Sequence, residues 1–260
     1  MNILDKIVQN KLLEVDYRKK NTPIEVLRRD ICKSSKSFAL SISKSGGNKN
    51  IIAEIKKTSP TMKLKKEINV EKIARLYKSI SAVMAISVLC DEKYFSGSLR
   101  DLNIVSNICD TKPILCKDFI IDEYQLYEAR KAGADAVLLI VSILSDKLID
   151  KFTNLARELA MDAVIEVSDE QEMNRFVSNN WSDIVMINNR NLKTFEIDLD
   201  TTNNLVNLIS DDNIVISASG INSKKDIEYL SDRVDAVLVG TSIMESHNPM
   251  EKINELAGNL

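Results

Sequence analysis

The stretch PILCKDFIIDEYQLYEARKAGADAVLLI, residues 113–140, decides how the rest of the chain is read. It opens on an apolar run at 113–116. An amphipathic segment follows, beginning at Asp122, a residue type that caps helix N-termini, and a second apolar run then continues to Val141. Both runs are continuous rather than alternating, as in strands covered on two faces. The unit reads strand, helix, strand. It repeats outward in both directions, with apolar runs near 51–56, 83–89, 162–167, 184–187, 214–218 and 236–239 and amphipathic segments such as VEKIARLYKSI and SDKLIDKFTNLARELA between them. Eight strands, each followed by a helix, within about 210 residues predict an α/β fold, a (β/α)8 TIM barrel. A doubly wound open sheet would call for a glycine-rich dinucleotide turn after its first strand, and there is none. Residues 1–47 lack the alternation. Leu4, Ile7, Val8 and Leu12 recur at helical spacing, Pro23 suits the first turn of a second helix, and SGGNK at 45–49 breaks the chain. The expectation is one barrel domain over 1–260, with 1–47 as a helical N-terminal extension.

Composition narrows the function classes. Hydrophobic residues make up 44% and charged residues 28%, the balance of an ordinary globular protein, and the net charge of -3 argues against a nucleic-acid partner. Charges come too early in MNILDKIVQNK for a signal peptide, and the longest apolar run, Ala136 to Val141, is too short to cross a bilayer. The reading is a cytoplasmic protein with no membrane partner. Cys32, Cys90, Cys109 and Cys116 form no CxxC pair and read as small apolar core residues. His247 is the single histidine, so no metal site is expected, and proton transfer falls to Asp, Glu, Lys or Tyr.

In a barrel of this kind the reactive groups gather where strands end. In IIAEIKKTSPT, residues 51–61, Glu54 and Lys56 sit two apart and so share one face of a buried strand. Lys117 and Asp118 close the third strand, Glu166 the fifth, Asn188 and Arg190 the sixth, and Ser217 and Ser219 the seventh, with Gly240 and Thr241 after the eighth. Taken singly, each has a bland explanation. A lysine or aspartate at a strand end is usually solvated, and Glu54 with Lys56 could be a structural ion pair across the mouth, although buried pairs rarely repay their desolvation. For Glu166 the competing reading is helix-start charge, which Asp169 and Glu170 are better placed to supply. Five converging strand ends of mixed charge are harder to dismiss. Of seven glycines, Gly97, Gly220 and Gly240 fall in the loops after strands two, seven and eight. The last two, in SASGI and VLVGTS, suit an anion such as a phosphate, which recurs at this place in the fold. The run KKTSPTMKLKK after the first strand is basic enough to draw in an anionic substrate.

These segments, with AISVLCDEKYFSGSLRDL, VIEVSDEQEM and INNRNLKTFEIDL, resemble the indole-3-glycerol-phosphate synthase family over nearly the whole chain. The resemblance implies ring closure of 1-(2-carboxyphenylamino)-1-deoxyribulose 5-phosphate, with loss of carbon dioxide and water, in tryptophan biosynthesis. It implies no cofactor and no metal, a small phosphorylated aromatic substrate as partner, and a monomer or weak homodimer. Lys117 matches the family's general acid. Lys56 matches a second lysine that contacts the substrate and shares the acid role. Either lysine serves as acid if neighbouring charge or burial lowers its pKa toward working pH. Glu166 matches the base of the dehydration and Glu54 the carboxylate that orients the lysines. Asn188 and Arg190 match residues that hold the substrate, and Ser59 lies in the matching strand-one loop. Phe95, Phe119, Leu138 and Leu192 match the apolar surround of the aromatic ring, and Ser219, Gly220, Gly240 and Thr241 the phosphate loops.

Two positions depart from the family pattern. Ala218 stands in ASG where a glutamate is expected, and Lys63 stands where a glycine tends to follow the first loop's proline. Ala218 removes a charge near the lysines, which implies retained but weakened activity. It also favours a competing reading, a non-catalytic sugar-phosphate-binding barrel. Phosphoribosylanthranilate isomerase ranks lower. It needs a cysteine after strand one and an aspartate after strand six, where this chain has Lys56 and Asn188.

Overall fold

The eight apolar runs form eight strands: β1 Asn50–Ile55, β2 Val83–Leu89, β3 Ile114–Lys117, β4 Ala136–Ile140, β5 Asp162–Val167, β6 Ile184–Asn188, β7 Ile214–Ala218 and β8 Ala236–Val239. A computed structural model describes residues 3–29, 31–44, 46–59, 62–63, 68–191 and 194–259, with the backbone alone at 59, 62 and 63. Every strand runs parallel to its neighbours. Asn50 to Ala53 of β1 pair with Ala236 to Val239 of β8, which closes the sheet into the predicted barrel. Period two then sorts the side chains. Ile52, Ala85, Leu115, Val164, Met186 and Ile216 fill the interior. Their sequence neighbours Ile51, Ala53, Ile86, Ile114, Ile165 and Val185 pack outward against the helices. Both faces are covered, and that is why the runs are continuous in sequence.

The extension holds three helices, α1 Ile3–Asn21, α2 Ile24–Arg28 and α3 Phe38–Ile42. Pro23 sits one position earlier than expected, at the N-cap of α2. In α3, Phe38 and Ile42 are fully buried among the barrel's interior residues and seal its floor. The Asp162 carboxylate, at the start of β5, accepts from the backbone N–H of Phe38 (2.9 Å) and Ala39 (3.0 Å) and holds the plug in place.

The apolar stripe expected on α1 is corrected by the structure. The buried positions are Ile7, Lys11 and Val15, spaced by four, whereas Leu12 is 56% exposed. Lys11 takes the core position because carboxylates meet it there. Its Nζ lies 2.9 Å from Asp91 Oδ1, 2.9 Å from Asp118 Oδ1 and 3.0 Å from Glu14 Oε2. Burial pushes this ammonium down, but Asp118 and Asp91 outweigh it and hold its pKa well above the usual value.

The remaining helices are α4 Val70–Ser79, α5 Glu92–Phe95, α6 Leu99–Ile108, α7 Glu123–Ala132, α8 Asp146–Glu158, α9 Glu170–Asn179, α10 Asp200–Leu205, α11 Lys224–Tyr229, α12 Thr241–Met244 and α13 Pro249–Ala257. Asn69, Ser98, Asp169 and Asn248 cap α4, α6, α9 and α13, while Asp122 with Gln125 and Ser223 with Asp226 form capping boxes on α7 and α11. The short α5 and α12 carry no sequence signal of their own, being too brief for periodicity. Cys90, Cys109 and Cys116 are buried free thiols as expected, but Cys32 is exposed. Among the described residues, no helix is long and apolar enough to cross a membrane.

Candidate active site

In four of the strands the alternation continues past the apolar interior to a last inward position that is polar. Above Ile52 in β1 comes Glu54, above Leu115 in β3 Lys117, above Val164 in β5 Glu166, and above Met186 in β6 Asn188. Together with Lys56 and Arg190 these side chains line a cavity of about 400 Å3 at the C-terminal rim of the barrel.

Two acid–amine pairs organise it. Lys56 Nζ is 3.2 Å from Glu54 Oε1 and donates to Thr241 Oγ1 at 2.9 Å. The ion pair set aside on desolvation grounds does form, but within one strand end and on the cavity wall rather than across the mouth. Across the barrel, Lys117 Nζ stands 3.6 Å from Glu166 Oε2, and Glu166 Oε1 accepts from Asn188 Nδ2 at 3.2 Å. Glu54 and Glu166 are only 4% and 3% exposed. Glu166 Oε2 accepts no hydrogen bond and faces only the Lys117 ammonium among the described residues' ion pairs. Burial pushes the Lys117 ammonium down, yet Glu166 and then Glu54 outweigh it and hold its pKa above the ordinary lysine value. The expected drop toward neutral pH is thus reversed. Lys117 carries its proton and stands ready as a donor. Burial lowers the Arg190 guanidinium. Its backbone N–H donates to Asn188 Oδ1 at 3.0 Å and its Nη1 to the Phe195 carbonyl at 3.3 Å.

The same cavity has an apolar wall. The rings of Phe95 and Phe119 have centroids 6.0 Å apart and planes tilted by 37°. Leu138 continues the wall, and so do Ile3, Leu4 and Ile7 of α1, which bring the extension to the cavity. The helical spacing of the α1 residues is visible in sequence, but what they face is not. Phe195, Ile197 and Glu245 also line the cavity without a local sequence signal.

The two glycine turns sit on the rim as expected. Ser219 and Gly220 both take the left-handed backbone, φ +69° and +85°. A Cβ on Gly240 would stand 2.4 Å from Glu54 Oε1, so β8 approaches the carboxylate more closely than any side chain permits. Gly97 does not belong to this set. A Cβ there would meet the Leu89 carbonyl at 2.0 Å, a packing requirement behind the wall. Two other strand-end residues are also turned to structural use. The Asp118 carboxylate is committed to Lys11, and Ser217 is fully buried against Thr202 and Asn189. Leu192 and the side chains of Ser59 and Lys63 lie outside the described residues. In the basic loop, Lys57 pairs with Asp101 at 2.7 Å. No group of three or more metal-ligating side chains occurs among the described residues.

Comparison with known proteins places the chain among relatives. A family model described as indole-3-glycerol phosphate synthase matches residues 4–256. The indole-3-glycerol phosphate synthase of Thermoanaerobacter pseudethanolicus is 42% identical over 256 residues, covering 97% of this chain and 96% of that one. That of Acetivibrio thermocellus is 41% identical, with 97% and 98% covered. The tryptophan biosynthesis protein TrpCF of Buchnera aphidicola subsp. Schlechtendalia chinensis is 38% identical over 98% of this chain, which spans 54% of that protein. Among solved structures, a 3-hexulose-6-phosphate synthase superposes with a TM-score of 0.60 at 16% identity, over 81% of this chain and 99% of that one, a likeness of fold.

Proposed function

The chain belongs to the indole-3-glycerol phosphate synthase family, and from that premise we propose how its own residues close the indole ring. Its activity is that of a decarboxylating lyase of tryptophan biosynthesis, forming indole-3-glycerol phosphate from 1-(2-carboxyphenylamino)-1-deoxyribulose 5-phosphate. The aryl carbon bearing the carboxylate attacks the ketone carbon, and the ketone oxygen takes a proton from Lys117. Loss of carbon dioxide restores the aromatic ring. The new hydroxyl then leaves as water on a proton from the shared lysine acid, while Glu166 accepts the proton lost from the neighbouring carbon as the ring double bond forms. Lys56 contacts the substrate and shares the acid role, and Glu54 orients both amines. Asn188 aims Glu166, and Arg190 offers its planar fork to the substrate carboxylate. Phe95, Phe119 and Leu138 receive the aromatic ring. Ser219, Gly220, Gly240 and Thr241 receive the phosphate. The substrate is the only partner proposed for a cytoplasmic monomer or weak homodimer.

One observation carries the assignment of roles: two acid–amine pairs from distant strands share a single cavity, with Lys117 Nζ 3.6 Å from Glu166 Oε2. A fluorescence assay for indole formation by the purified chain tests it, and no turnover would sink it. Ala218 is buried and lines the same cavity. The chain is therefore expected to turn over as it stands, and Ala218→Glu to raise kcat about fivefold if the added carboxylate stabilises the transition state by about 1 kcal/mol more than the bound substrate. Gly240→Ala is expected to lower kcat/KM about a hundredfold, because the new methyl displaces Glu54. A Gly240→Ala protein with unchanged kinetics would show that Glu54 has no orienting role.

A further inference from the structure

Asn189 follows Asn188 in sequence but turns its side chain away from the cavity and is 2% exposed. It bonds fully behind the site. Its Nδ2 donates to Ser217 Oγ and to the Ser219 carbonyl, both at 3.0 Å, while its Oδ1 accepts from Thr202 N–H (3.2 Å) and Thr202 Oγ1 (2.7 Å). One amide therefore ties together the ends of β6 and β7 and the start of α10. What it holds is strained. Ser219 keeps φ +69° although it carries a side chain, a conformation that persists only where surrounding bonds over-determine it. In that conformation Ser219 Oγ donates to Asn188 Oδ1 at 2.8 Å, and Asn188 Nδ2 donates to Glu166 Oε1 at 3.2 Å.

We propose that Asn189 is a positioning residue that fixes the Ser219–Gly220 turn and, through the Ser219–Asn188 bond, the direction of the Glu166 carboxylate. One buried amide then sets the anion cradle and the base together. The inference deepens the roles given above to Glu166 and to the Ser219–Gly220 turn, and rests on them. It explains why the two groups keep register although they come from β5 and from the loop after β7. Without the Asn189 side chain, Ser219 can relax toward an ordinary backbone. Its hydroxyl then leaves Asn188, and the amide that aims Glu166 is free to rotate.

The test is steady-state kinetics on the carboxyphenylamino substrate, with thermal melts as a fold control. Asn189→Ala is expected to lower kcat at least about tenfold and to raise KM about threefold, since small misplacements of reacting groups have effects of this order. Ser217→Ala, which leaves the Asn189–Ser219 bond in place, is expected to keep kcat within about twofold. Ser219→Gly already breaks the link to Asn188, so adding Asn189→Ala to it should change kcat little further, a non-additivity that a general packing defect would not give. Should Asn189→Ala fail to fold, Asn189→Asp, equal in size but unable to donate to the Ser219 carbonyl, carries the same expectation. A folded Asn189 variant with kcat and KM near wild type, or kcat losses that simply multiply, overturns the inference and leaves the function intact. A wild-type chain without turnover removes both.

Discussion

Lys117→Met is expected to lower kcat about a thousandfold, within the range that a positioned general acid contributes, while KM changes much less. The substitution keeps most of the length of the side chain and removes the ammonium paired with Glu166. In the resting site Lys117 is held protonated by Glu166 and Glu54 against its own burial. The charge is therefore present before substrate arrives and does not depend on pH near neutrality. Lys56 remains in the variant, but it is bound to Glu54 and Thr241 on the opposite wall, so the residual rate measures how far the second amine can substitute. Indole fluorescence under saturating substrate reads the loss. A thermal melt separates it from unfolding, since the variant leaves Glu166 buried without its cation. A kcat within threefold of wild type would show that the acid lies elsewhere.

Lys11→Met is expected to destabilise the fold by about 3–5 kcal/mol, the usual penalty for removing one partner from a buried ionic cluster. For a chain of this length that corresponds to a fall in Tm of about 6–20 °C. Asp91 and Asp118 would be left inside the protein without a counter-charge. Asp118 is already pushed above the usual carboxylate range, by burial first, with Lys11 opposing that rise. Adding Asp118→Asn to Lys11→Met should recover part of the loss, because it removes one of the stranded charges. The pH dependence has a definite sign. The pKa of Lys11 is higher in the folded chain than in the unfolded one, so its stabilisation is complete below about pH 10 and fades as alkali titrates the folded ammonium. A single-mutant Tm within 2 °C of wild type would mean the cluster contributes no net stability.

The fold is legible in the sequence because both faces of each strand are buried, and runs such as 136–140 therefore carry their own signature. Glu54, Lys117, Glu166 and Asn188 are legible for a related reason. A charged or amide group in phase with an apolar alternation marks the place where a strand leaves the core. Lys11 misleads because helical periodicity reports hydrophobicity, and a buried lysine is invisible to it until the distant carboxylates of Asp91 and Asp118 are brought alongside. Asn189 misleads because in NNR the two asparagines look alike, and the pleat of β6 alone sends one to the cavity and the other behind it. Asp118 and Ser217 stand at strand ends like the reactive groups, yet their partners come from α1 and α10, about 100 and 15 residues away. No local pattern encodes such pairings, whereas a family resemblance carries over the positions but not the reasons for them.

Phe38 and Ile42 underlie the side chains that fill the barrel, so the cavity opens at the rim and not through the floor. Among the described residues, reactant, the gas it sheds, the water it loses and the bulky product share that rim, beside the first turns of α1. Discharge and refilling therefore share one rim, and accumulated product is expected to compete with reactant for the vessel it has just left, which progress curves at high conversion would show as a falling rate.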